Sequence, residues 1–104
     1  MIVIITSCGS LEEADRIAAV LVEERLAACV QIMPATSVYR WQGAVERAPE
    51  HVVHIKTRAA LADAVETRVK ALHSYTLPEL VVLPVAGGSA DYLGWARSET
   101  IAVI

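Results

Sequence analysis

The chain is 104 residues long and 55% hydrophobic, with nine basic and twelve acidic residues that give a formal net charge of -3. This length and hydrophobic content predict a single globular domain, residues 1–104, with one core. The charges are scattered without runs, so no basic stripe is available to neutralise a phosphate backbone, and nucleic acid is excluded as an expected partner. No apolar segment approaches the roughly 20 residues that a membrane span requires.

The N-terminal run MIVIITSCGS predicts a strand and not a signal peptide. It has no positively charged leading region, and polar residues interrupt it early. The two cysteines, Cys8 and Cys29, are too few for a secreted disulfide scaffold and have no C-x-x-C spacing. We therefore expect a cytoplasmic protein in a reducing compartment.

The first quarter of the chain has the pattern of a strand followed by a helix. Ile2 to Thr6 is a continuous β-branched run, which is typical of a strand covered on both faces. Ser10 and Glu13 have the spacing of a capping box, and apolar residues then recur at helical intervals until near Arg25.

The middle of the chain predicts one long, bent β-hairpin. Residues 28–33 and 36–41 favour strand, with Pro34 marking a bulge or bend between them, and residues 50–57 return after a Gln42-Gly43 turn. Each arm can reach about 14 residues, or roughly 45 Å at 3.3 Å per residue. The radius of gyration expected for this chain length is only about 13 Å. The arms therefore overhang the domain and leave unpaired edges, which predicts a homo-oligomer.

The last part of the chain predicts a helix, a strand and a third helix. Apolar residues at spacings of four, four and three mark a helix over residues 58–73, and residues 80–85 favour a strand. The whole order predicts an α+β fold, a split β-α-β sandwich with helices on one face of an antiparallel sheet. The apolar tail, residues 101–104, is expected to pack against a neighbouring subunit or to extend a sheet edge.

The histidines and cysteines of the predicted strands give little sign of chemistry. His51 and His54 lie three residues apart, so their side chains point to opposite faces and cannot chelate one ion together. Cys29 in a core strand behaves as a small hydrophobic residue. No Ser/His/Asp or Cys/His arrangement has a local signature, which argues against an enzyme.

Cys8 stands in a different setting, the small-residue stretch TSCGS before a capped helix. There, unpaired N–H groups and the helix dipole lower the pKa of a thiol. The same geometry could bind an anion or form a tight turn. We favour the turn, because neither phosphate-binding glycine pattern is present.

The segment HSYTLPEL, residues 73–80, connects the second helix to the last strand. Pro78 forces the preceding residue into an extended conformation, so His73, Tyr75 and Glu79 could be presented together at one end of the sheet. Taken alone, turn chemistry accounts for every residue of the segment, with His73 as a cation at the end of a helix.

The chain contains three blocks, LVEERLAACVQIMPATSVYRWQG, HIKT and HSYTLPEL, followed by YLGW. Their order and spacing resemble those of the CutA family of divalent-cation tolerance proteins. The match covers nearly the whole chain. The resemblance implies a ferredoxin-like fold with a long β-hairpin and an extra C-terminal helix, assembled as a homotrimer and similar in architecture to the PII signal transducers. It also implies that the protein binds copper or another divalent metal ion and acts in divalent-cation tolerance and the response to metal ions.

The resemblance further implies where a site would lie. His73 and Glu79 correspond to the metal-binding positions. The residues that correspond to an inter-subunit cleft are Tyr39, Trp41, Lys56, Tyr75, Tyr92 and Trp95. The family usually reads HPYE.PE, whereas Ser74 and Thr76 stand here, and Ala44 replaces a common lysine. The missing carboxylate at position 76 removes a hard oxygen ligand, which predicts weak metal binding.

We expect from this resemblance a homotrimer that binds copper or another divalent ion and performs no covalent chemistry. An alternative is a PII-like regulator, in which the cleft binds a small anion or nucleotide and the trimer reports to a protein partner. Lys56 and the TSCGS stretch motivate that alternative. A ligand-free structural trimer is a third interpretation.

Overall fold

A computed structural model describes residues 1–102, and Val103 and Ile104 of the apolar tail lie outside the described residues. The elements are β1 (Ile2–Cys8), α1 (Leu11–Glu23), β2 (Cys29–Trp41), β3 (Ala44–Thr57), α2 (Ala62–Leu72), β4 (Val81–Pro84) and α3 (Ala90–Ser98). A 3₁₀ turn, Ala59–Leu61, precedes α2. This is the predicted order of elements.

The four strands form one sheet in the order β2-β3-β1-β4, and every neighbouring pair is antiparallel. Helix α1 connects β1 to β2, and α2 connects β3 to β4. The two β-α-β units therefore interleave, because each pair of connected strands has another strand between them. The fold is α+β and ferredoxin-like, extended by a long β-hairpin and by α3.

Helices α1 and α2 cover one face of the sheet, and the core lies between this face and the two helices. Ile4 of β1 and Val53 of β3 meet Ile17 of α1 and Val65 of α2 there, each at most 1% exposed. The opposite side, which we call the open face, has few such contacts: Leu83 of β4 remains 46% exposed. Near the base of the hairpin, the open-face positions of the three longer strands are Val3, Ile5, Ser7, Cys29, Gln31, Met33, Val52, His54 and Lys56, and the same alternation continues toward the tip.

The pairing register separates the two strand histidines as predicted. His51 is paired with Cys8, so it lies on the helix-covered face, whereas His54 is paired with Ile5 on the open face. The Nδ1 atom of His51 is buried and has no hydrogen-bond partner within residues 1–102. The two rings cannot bind one ion together.

The β2–β3 hairpin is regular along its whole length. Its thirteen residue pairs run without interruption from Cys29–Lys56 to Trp41–Ala44, so the bulge or bend predicted at Pro34 is wrong. The sheet order explains this, because β2 is an edge strand and tolerates a proline whose nitrogen faces outward. Positive φ angles of 50° and 83° at Gln42 and Gly43 form the predicted tight turn, of type I′.

Only the base of the hairpin is supported by the rest of the sheet. Strand β1 pairs with residues 51–57 of β3, so the outer part of both arms extends beyond β1. The molecule measures 44 × 26 × 21 Å along its principal axes. The predicted overhang is confirmed.

At the other end of the chain, Ile101 donates its N–H to the Arg25 carbonyl at 2.9 Å, and the residue is 43% exposed.

Among residues 1–102, the helices are all too short or too polar to cross a membrane.

Candidate metal and ligand site

His73 is the C-cap of α2, and its extended backbone turns the chain away from the helix axis. Its side chain is fully buried, at 0% exposure. Atom Nε2 donates a hydrogen bond to the Ser7 carbonyl at 2.7 Å, and Nδ1 accepts one from the Tyr75 N–H at 3.0 Å. A carbonyl can only accept, so the Ser7 contact places a proton on Nε2. Both ring nitrogens are therefore occupied.

Two further metal-binding side chains lie against this ring. The Cys8 sulfur is 3.8 Å from Nε2 of His73, and the Glu13 carboxylate is 3.3 Å from Nδ1. One ligand atom from each of the three residues lies within 4.8 Å of the other two. Within residues 1–102 this is the one group of three or more such side chains that converges, at the meeting point of β1, α1 and α2.

The Glu13 carboxylate reaches His73 because it does not complete the capping box. The Ser10 hydroxyl accepts from the Glu13 N–H at 3.2 Å, as the sequence predicts, but the carboxylate accepts from the Ser74 N–H at 3.3 Å. Burial raises the pKa of Glu13, but the hydrogen bonding by Ser74 and nearby positive charge outweigh it and lower the pKa overall. Glu13 is a site residue that the sequence did not reveal, because its spacing is explained by a local helix cap.

Cys8 is the last residue of β1 and is fully buried, at 0% exposure. Burial and then the negative charges of Glu13 and Glu50 raise the pKa of its thiol from 9.0 to about 11. The expectation of a lowered thiol pKa is therefore wrong. The strand continues two residues further than predicted and places the sulfur in the core, while Gly9 and Ser10 form the bend before α1.

A groove of about 790 Å³ lies between the hairpin and residues 74–79. Tyr39, Trp41 and Tyr75, three of the six predicted cleft residues, line it together with Glu79. Glu50, which the sequence analysis did not single out, also lines it. Glu50 has the same strand parity as Val52, His54 and Lys56, so the register places it on the open face.

Tyr75 connects the groove to the buried cluster. Its hydroxyl donates to the Glu50 carboxylate at 2.9 Å, and its ring lies 4.7 Å from the ring of His73, centroid to centroid. Burial and then Glu50 raise the pKa of Tyr75 to about 12, so the hydroxyl keeps its proton near neutral pH. A Cβ atom at Gly9 would lie 3.1 Å from the Tyr75 hydroxyl oxygen, which explains why a glycine fits there.

Glu79 lies on the other side of Ser7 from His73. The Ser7 hydroxyl donates to the Glu79 carboxylate at 3.4 Å, while the Ser7 carbonyl accepts from His73. Glu79 is exposed and is not a member of the three-residue cluster. A metal site formed by His73 with Glu79 stays a prediction.

The other three predicted cleft residues form a separate group. The Lys56 ammonium lies 5.7 Å from the centroid of the Tyr92 ring, and the Tyr92 and Trp95 rings are 5.6 Å apart. Lys56 is six residues from Glu50 along β3, or about 20 Å at 3.3 Å per residue. One chain therefore does not bring all six residues together.

Comparisons with known proteins agree with this architecture. The family model described as CutA1 divalent ion tolerance protein matches residues 2–99. The divalent-cation tolerance protein CutA of Thermus thermophilus is 50% identical over 99 residues, which cover 94% of this chain and 96% of that protein. The rice protein CutA 1, chloroplastic, is 42% identical over 100 residues, and these span only 56% of its length.

A solved structure gives the same result in three dimensions. The periplasmic divalent cation tolerance protein CutA from Archaeoglobus fulgidus matches with a TM-score of 0.93 and 41% identity, covering 95% of this chain and 98% of that one. The Thermus and Archaeoglobus relatives are named for tolerance of divalent cations and not for a reaction. The chain belongs to the CutA1 divalent ion tolerance family.

Proposed function

We propose that this chain acts as a homotrimer that binds a divalent metal ion, with copper favoured, as part of tolerance of metal ions. The observation that carries the proposal is the convergence of a thiol, an imidazole and a carboxylate within 4.8 Å, at Cys8, His73 and Glu13. Sulfur and imidazole donors suit copper better than carboxylate and water ligands do. Glu79, across Ser7, is the additional carboxylate that the sequence resemblance proposes.

The same geometry supports weak binding. His73 must release one of its two hydrogen bonds before a ring nitrogen can bind an ion. The Cys8 thiol must also lose its proton, and its pKa is raised to about 11. Binding through the thiolate therefore releases a proton, and the affinity should fall about tenfold for each unit of pH below that value.

The test is a copper titration of the full chain and of single variants in one buffer. We expect His73→Ala and Cys8→Ser to lose most of the affinity. His54→Ala is the matched control, since it removes an imidazole from the open face. Full affinity in His73→Ala would exclude the site, and Glu79→Gln shows whether the predicted carboxylate takes part. Circular dichroism of each variant verifies that it is folded.

The trimer is supported by surfaces that one chain leaves incomplete. The outer hairpin has no support from β1, and apolar residues such as Met33 and Val81 remain 40% and 45% exposed on the open face. The two groups of cleft residues can line a single cleft only if neighbouring subunits supply one group each. Light scattering should give three times the chain mass of 11.2 kDa, and a mass near 11.2 kDa would contradict the proposal.

The PII-like alternative receives less support from the groove. Among the groove-lining residues within positions 1–102 there is no lysine, arginine or histidine, whereas two glutamates are present. In the groove of a single chain, a nucleotide phosphate would meet negative charge. We therefore rank anion binding below metal binding.

We further propose a cytoplasmic, single-domain protein, residues 1–104, that catalyses no covalent reaction. Two unpaired thiols, Cys8 and Cys29, support a reducing compartment, and the raised pKa of Cys8 makes it a poor nucleophile. Because relatives are named as chloroplastic and periplasmic, subcellular fractionation with an antibody is the measurement that decides the location.

A further inference from the structure

The chemistry of the groove differs from that of a metal site. Its walls are aromatic, formed by Tyr39, Trp41 and Tyr75, and its charged groups are the carboxylates of Glu50 and Glu79. Its volume of about 790 Å³ is far larger than one ion needs. It falls within the range of small-molecule sites, on the order of 300–1,000 Å³.

Glu50 is the residue that demands a ligand of opposite charge. It is only 8% exposed, and its hydrogen-bond partner within residues 1–102 is the neutral hydroxyl of Tyr75. No lysine, arginine or histidine in that part of the chain forms an ion pair with it. Buried carboxylates are normally paired, because removing their hydration is costly. Within residues 1–102 Glu50 therefore has no counter-charge, and a cation from outside the chain would supply one.

The aromatic walls favour an organic cation over a metal ion. Tyr39 and Trp41 are two residues apart on one face of β2, and they are 44% and 45% exposed. The faces of such rings attract ammonium and guanidinium groups, but they provide no lone pairs for coordination. A hard divalent ion needs about six oxygen ligands, and two carboxylates in a wide groove fall short of that number.

We propose that the groove binds a small organic cation, such as a protonated primary amine, with Glu50 and Glu79 as its counter-charges and the aromatic side chains as its walls. This ligand is additional to the metal ion, whose converging ligands are Cys8, Glu13 and His73; the Glu79 carboxylate, which the resemblance assigns to the metal, borders both sites. An aliphatic chain packs against the rings while the ammonium group replaces the missing cation beside Glu50.

The experiment is a calorimetric titration of the full chain with 1,4-diaminobutane at low salt and pH 7. The uncharged 1,4-butanediol and ATP are the ligand controls. We expect saturable binding of the diamine and none of the other two. Glu50→Gln keeps the acceptor for Tyr75 and removes the charge, so the affinity should fall at least about tenfold. Glu79→Gln, in an exposed segment, should weaken binding as well and serves if Glu50→Gln folds poorly.

Glu23→Gln is the matched control variant, since it removes the same charge from an exposed position of α1. It should bind the diamine as tightly as the unaltered chain. Cys8→Ser should also keep diamine binding, so loss of copper binding alone leaves this inference intact.

Three results would overturn the inference. The first is no binding of the diamine at millimolar concentration. The second is unchanged affinity in both Glu50→Gln and Glu79→Gln. The third is clearly tighter diamine binding in Lys56→Ala than in the unaltered chain, because the lysine of a neighbouring subunit would then be the native occupant of the groove.

Discussion

The bond between Tyr75 and Glu50 offers a quantitative test of the groove. Tyr75→Phe removes the hydroxyl that donates to Glu50 at 2.9 Å and keeps the ring that packs against His73. A hydrogen bond to a charged group contributes about 1.5–3 kcal/mol to stability. Because the Glu50 carboxylate borders the groove, water can replace part of the lost bond. We therefore expect the free energy of unfolding to fall by about 2 kcal/mol.

A Glu50→Gln background separates the contribution of the Glu50 charge from that of the hydrogen bond itself. In Glu50→Gln the acceptor remains but the charge is gone, so the same Tyr75→Phe change should cost only about 1 kcal/mol, as for a neutral bond. The difference between the two backgrounds, about 1 kcal/mol, is the coupling energy of the double-mutant cycle.

The assay is urea unfolding followed by tryptophan fluorescence at pH 7. All variants are measured at one chain concentration, because the unfolding of the proposed oligomer would depend on concentration. A loss of about 2 kcal/mol should lower the urea midpoint by roughly 1 M. A Tyr75→Phe midpoint within about 0.2 M of that of the unaltered chain, or an equal cost in both backgrounds, would contradict this prediction.

Three further predictions concern the residues around the site. Gly9→Ala should cost about 1 kcal/mol in the same assay, because its methyl group would lie 3.1 Å from the Tyr75 hydroxyl, and a Tyr75→Ala background should remove that cost. Stability should fall by roughly 2–3 kcal/mol between pH 9 and 11, because the unfolded chain releases the Cys8 proton near 9.0 and the folded chain only near 11. Cys8→Ser should lack that part of the fall in pH-dependent unfolding. Arg58→Ala removes a 2.7 Å bond to the Thr100 hydroxyl, and hydrogen exchange should then speed up in α3 but not in β1.

The elements themselves were predictable because their signals are local. Periodicity located the strands and helices, and Gln42-Gly43 identified the hairpin turn from two adjacent residues. The missing bulge at Pro34 depends instead on β2 being an edge strand, which no local pattern shows. The sequence pattern ends β1 two residues too early for a similar reason, since small polar residues can continue a strand when a neighbouring strand pairs with them.

The site was predictable only in part, because its contacts join residues that are far apart in sequence. His73 came from its motif, but Glu13 is 61 positions from the Ser74 N–H that orients it. In the sequence, Glu50 looks like an ordinary surface glutamate of an alternating strand. Its burial depends on the loop that carries Tyr75, whose hydroxyl contacts it. The resemblance grouped six cleft residues, but the structure shows that within one chain they form two separate groups of three.

The regular hairpin has a consequence for the order of events as the chain folds. Its pairs form outward from the Gln42-Gly43 turn and need nothing from α1 or α2, and hairpins of this kind close in about 1–10 μs. Pairing of β1 with β3 must instead join residues about fifty positions apart, which is slower. The arm should therefore form, with its β2 edge unpaired, before β1 joins the sheet. The charged side chain of Arg40, near the end of β2, then protects that edge from indiscriminate pairing with other chains.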